Sequence, residues 1–111
     1  TPKPLTMLTL RTDFGCTEAI IDDNCGINKF YEIASILSNE FDIQFKVTSD
    51  EGDALLWYFP YKKNILTLHY NIFTGISIFP GKYREAGKEE NEAVADLAKK
   101  LEMILGKHYR S

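Results

Sequence analysis

One short run constrains this chain more than any other feature: Ala54-Leu55-Leu56-Trp57-Tyr58-Phe59, closed by Pro60. It is far too short to cross a bilayer, which takes about 20 residues. Apolar side chains on both of its faces are what a central β-strand shows. Pro60 to Asn64 is expected to break the strand and reverse the chain. The rest of the fold must therefore supply neighbouring strands and something to cover them.

The neighbours are visible as alternating patterns. Residues 5–13 alternate, with Leu8 and Leu10 set against Thr9 and Arg11. Asp13-Phe14-Gly15 reads as a turn, and residues 17–22 return as a short second strand. Asp22 to Gly26 is a polar loop. Ile43, Phe45 and Val47 alternate with Gln44, Lys46 and Thr48 in a half-buried strand, and residues 50–53 turn. Leu66, Leu68, Tyr70 and Ile72 alternate with Thr67, His69 and Asn71; Thr74-Gly75 then turns into Ile76–Phe79, and Pro80-Gly81 ends that strand.

Two segments repeat at helical spacing instead. In residues 27–41, Ile27, Phe30, Tyr31, Ala34, Leu37 and Phe41 fall on one face, with Asn28 or Asn24 as the cap. In residues 89–105, Val94, Leu97, Ala98, Leu101, Ile104 and Leu105 form the stripe. Glu89, Glu90 and Glu92 open that helix and Lys99 and Lys100 follow, as the helix dipole favours. Gly106 suits the position just past its end.

The order is then β-β-α-β-β-β-α. Short sequential connections favour antiparallel neighbours. The expected fold is a two-layer α+β sandwich, with an antiparallel sheet of about five strands and two helices on one face. At 111 residues this is one domain, with residues 1–4 a loose lead-in and 107–111 a loose tail. The chain opens Thr-Pro-Lys-Pro, without Met, and shows no signal peptide, so the expected compartment is the cytoplasm.

Charge narrows the function. The net charge of −3 disfavours general nucleic-acid binding. Residues 13–53 hold ten acids and two bases, a net −8, whereas the remainder holds eleven bases and six acids, a net +5. Such asymmetry bears on partners and on association rates. The motifs of catalysis are absent: no phosphate-binding glycine loop, no Gly-x-Ser-x-Gly elbow, no His-Glu-x-x-His helix. Asp13-Phe14-Gly15 matches a kinase tripeptide, but the companion motifs are missing. Cys16 and Cys25 lack the partners of a zinc site and read as reduced thiols; no cofactor or metal is expected. Cys16 with His69, or Asp22 with Asp23, would serve a small enzyme or ligand-binding domain only if they converged in a pocket.

The aromatics are a stronger signal. Trp57, Tyr58, Phe59 and Tyr61 stand within five positions, near Tyr70, Phe73 and Phe79. Two helices cover only one face of a sheet, so the other face is left for solvent, a loop or a partner. Tyr and Trp anchor interfaces well. The expectation is a non-enzymatic protein-binding domain in which Asp22, Asp23, Glu40, Asp42, Asp50, Glu51 and Asp53 meet a basic partner while Tyr58 and Tyr61 anchor it. In general character (short, acidic, α+β, without a catalytic motif) the chain looks like bacterial immunity proteins. That resemblance implies capping of a basic toxin such as a nuclease. A homodimeric adaptor or a secretion-chaperone-like protein is the alternative within the binding class.

Overall fold

A computed structural model describes residues 9–13, 16–22, 26–50, 54–81 and 87–110. Its elements are β1 (Thr9–Asp13), β2 (Cys16–Asp22), α1 (Ile27–Phe41), β3 (Val47–Asp50), β4 (Ala54–Tyr61), β5 (Asn64–Asn71), β6 (Gly75–Pro80) and α2 (Lys88–Arg110). The strands form one antiparallel sheet in the order β1-β2-β6-β5-β4-β3. The α+β sandwich read from the sequence is the fold observed, with six strands where about five were expected. The turn expected at Thr74-Gly75 lies at residues 72–74 and makes β5 and β6 two separate strands.

Register sorts the side chains. Leu10, Ala19, Ile78, Leu68 and Trp57 stand in one cross-strand row, and Tyr70 lies between Leu55 and Ile76. These rows face the helices. Phe30, Ile33, Ala34 and Leu37 of α1 and Val94, Leu97, Ala98, Leu101 and Leu105 of α2 close over them. Phe30 meets Trp57 edge to face with centroids 4.9 Å apart, and Phe45 does the same against Phe59 at 5.5 Å. Such pairs add to the area they bury.

The opposite face carries Ile20, Leu56, Tyr58, Ile65, Thr67, His69, Ser77 and Phe79. Its centre is shielded although neither α1 nor α2 covers it: Thr67 and Ser77 are buried. Thr67 lies between Tyr58 and Phe79 across the ladder, and its Oγ1 has no hydrogen-bond partner among the described residues.

Several boundaries differ from the sequence reading. β4 runs through Pro60 to Tyr61. The N–H of Lys46 donates to the carbonyl of Tyr58 at 2.9 Å, so Tyr58, and with it Pro60, directs its backbone towards β3. β3 begins only at Val47, opposite Tyr58, so the missing N–H of Pro60 falls beyond the ladder and costs no bond. Ile43 is buried and Phe45 packs on the core, but ladder pairing starts at Val47 rather than at 43. α1 is capped by Gly26, without a side-chain bond, rather than by Asn28; Asn24 lies outside the described residues. α2 does not stop at Gly106 but continues to Arg110, so 107–110 are helical and not a loose tail. No Pro follows Gly106, and basic residues at 107, 108 and 110 suit a helix end. At its start the N–H of Gly87 donates to Glu90 Oε2 at 2.7 Å, the reciprocal half of a capping box. Among the described residues no helix is long and apolar enough to cross a membrane.

Candidate functional site

The ladder register fixes where the acids of the first half come to lie. Asp22 ends β2 beside Ile76, the second residue of β6. Asp50 ends β3 opposite Leu55, and Ala54 pairs with Asn71 at the end of β5. Asp22 and Asp50 therefore share one end of the sheet with the β5–β6 hairpin. Glu40 and Asp42 are exposed at the opposite end, where α1 finishes and the Phe41 ring meets Tyr61. An eight-residue strand separates the two ends by roughly 25 Å. Asp23, Glu51 and Asp53 lie outside the described residues. The described acids thus form two groups rather than one patch.

The two tyrosine anchors part company as well. Tyr58 is half-buried on the face away from the helices. Tyr61 turns inward: because β4 does not break at Pro60, alternation carries Tyr61 to the helix side, where it is buried. Its hydroxyl donates to Asp96 Oδ2 at 2.7 Å, and the same oxygen accepts from Lys62 Nζ at 2.9 Å and Lys100 Nζ at 3.2 Å. Burial, and then the Asp96 carboxylate, push the Tyr61 phenol up to about 12. Lys62, the Tyr61 hydroxyl and Lys100 hold the Asp96 carboxyl well below the usual carboxylate range. Tyr61 is thus a structural residue and not a surface anchor.

Cys16 and His69 do not meet. His69 lies in register with Ser77 and Ile20, whereas Cys16 is four residues further along β2 and two strands away. His69 has Ser77 Oγ 3.4 Å from Nδ1 and the Phe79 ring beside it. Burial lowers its pKa, against an opposing pull from Glu18. No group of three or more His, Cys, Asp or Glu among the described residues is placed to hold a metal ion.

Sequence reasoning undervalued one feature, the β5–β6 turn. It had treated Ile72 as the last member of an alternating strand. Instead β5 ends at Asn71, and Ile72 and Phe73 occupy the turn at 54% and 77% exposure. Phe73 is the most exposed large apolar residue described. The turn is tightly held. The N–H of Phe73 donates to Asn71 Oδ1 at 2.8 Å, and the N–H of Thr74 donates to the Asn71 carbonyl at 3.3 Å. Gly75 follows with φ of 82°, a conformation that favours glycine, and completes a three-residue hairpin loop. Ile27, at the start of α1, is exposed five residues after Asp22. The available signal was composition: two large apolar residues at turn positions, where polar residues are the rule.

No family model, curated protein or solved structure gives a match to this chain.

Proposed function

We propose that this chain is a protein-binding domain that inserts the β5–β6 turn, Ile72-Phe73, into an apolar pocket of a basic partner. The observation that carries the reading is Phe73, 77% exposed on a turn whose backbone Asn71 already fixes. A turn whose backbone is fixed before binding loses little main-chain freedom on docking, and a large aromatic side chain carried on it can dominate an interface. Asp22, and Asp50 at the end of β3, border the same end of the sheet. These two acids favour a partner of opposite charge at this end and speed encounter with it. In its sharpest form the domain is an inhibitor of a basic toxin such as a nuclease.

The test is capture from native extract by the wild-type chain and by Phe73→Ala, at low and high salt. A basic protein held by the wild type, weakened by salt and released by the substitution, is the expected result. Truncating such an anchor costs about 2 kcal/mol or more, roughly 30-fold in affinity. Equal capture by both chains would remove the hairpin from the interface.

A further inference from the structure

The helix layer does not reach the edge of the sheet. α2 packs chiefly on β2, β6 and β5, and α1 on β5 and, through Phe30 and Phe41, on Trp57 and Tyr61 of β4. Leu10 of β1 pairs with the buried Ala19 and so faces the helix side, yet it is 49% exposed. Between it and the flank of α2 lies a cleft of about 410 Å3, bordered by Leu10, Ala95, Asp96, Lys99 and Glu102. Met103, 63% exposed, follows on the same helix.

The charges at this cleft are informative. Lys99 and Glu102 are three residues apart on one flank, both exposed, and neither has an ion-pair partner among the described residues. Asp96, the third charge of the cleft, is already paired with Lys62 and Lys100 within the chain, which leaves one charge of each sign, symmetric about a midpoint and complementary to its own inverted copy. We propose that a second copy of this chain occupies the cleft, with the two α2 helices antiparallel about a two-fold axis passing between Lys99 and Glu102. Lys99 of each protomer then faces Glu102 of the other, and the pair is made twice, as an isologous interface requires. Ala95 allows close approach of the helices, and Leu10 and Met103 lose their contact with water. The β5–β6 turn stays outside this interface, so the dimer presents two binding tips.

Sedimentation equilibrium of the full chain at low salt tests the arrangement, with circular dichroism to show that each variant is folded. The wild type is expected to be dimeric at micromolar concentration. Lys99→Glu and Glu102→Lys each replace two attractions by two repulsions and should weaken the dimer by roughly tenfold or more. The double variant restores both pairs in reverse and should dimerise like the wild type. A wild type that is monomeric, a dimer indifferent to either single reversal, or a double variant no better than the singles would overturn the proposal.

Discussion

The Tyr61–Asp96 contact offers a direct measure of how β4 is fastened to α2. Replacing Tyr61 with Phe keeps the ring, and with it the packing against Phe41, but deletes the hydroxyl that Asp96 accepts at 2.7 Å. A hydrogen bond to a charged group contributes about 1.5–3 kcal/mol when shielded. The Asp96 side chain is 36% exposed, and solvent screening reduces that to about 1 kcal/mol. For a domain of this size the loss corresponds to a Tm lower by about 4–6 °C. Two pH limits follow from linkage. The folded Asp96 binds its proton less readily than the unfolded residue, so its contribution is full above the ordinary carboxylate pKa, near 4, and fades as pH falls below that. The folded Tyr61 holds its proton up to about 12 against an ordinary value of 10.0, so its contribution is full below 10 and fades between 10 and 12. The lysines keep Asp96 ionised in both folded chains, and the unfolded residue is common to both, so thermal melts of wild type and Tyr61→Phe should differ by a similar amount from roughly pH 3 to pH 9 and converge in strong base. A gap in Tm that is as large near pH 12 as at pH 7, or no gap at pH 7, would refute the assignment.

Two further substitutions test local features. Thr67→Val replaces a buried hydroxyl that lacks a partner with a methyl group of nearly the same shape, and should raise stability by about 1 kcal/mol in urea titration. Lys63 lies at φ of 67° in a two-residue hairpin turn, so Lys63→Gly should stabilise by roughly 0.5 kcal/mol whereas Lys63→Val should destabilise by 1 kcal/mol or more; equal midpoints for the two would show that the backbone there is unstrained.

Much of this architecture was legible because the sheet and helices obey simple periods. The period of two in Leu66, Leu68 and Tyr70 placed three residues on the helix side, and the spacing of Phe30, Ala34 and Leu37 found three of the buried residues of α1. Ile27 and Tyr31, expected on the same face, are exposed, and Ile33 is buried instead. What escaped depends on pairing between strands. Pro60 is tolerated because β3 happens to begin at Val47, a fact about a neighbour and not about Pro60. That single misreading also reversed Tyr61, since a strand that continues one residue further decides which face receives the next side chain. The turn at Lys62-Lys63 lacks the Asn-Gly chemistry that announces such hairpins, and the turn after Asn71 was obscured by two apolar residues. The acids were read as one surface because they are close in sequence. Antiparallel ladders carry them to opposite ends.

The two ends of the sheet break local rules in different ways, and the difference bears on where a partner sits. At the Tyr61 end the violations are conformational. Asp42, Lys62 and Lys63 all have positive φ, at a cost of order 1 kcal/mol or more each. The chain itself offsets much of this. Lys62 is held by Asp96 at 2.9 Å, Asn64 Nδ2 donates to the Lys62 carbonyl at 2.9 Å, and the backbone of Asp42 closes α1 onto the carbonyl of Leu37. At the hairpin end the conformation is conventional, since Asn71 and Gly75 are the residue types such a turn requires. The violation there is one of solvation: Phe73 and Ile72 stand in water with their backbone already fixed. Strain within a chain is met by contacts within the chain, whereas exposed apolar area on a rigid turn is relieved only by something placed against it. By that reasoning the proposed partner belongs at the hairpin end and not at the charged end around Lys62.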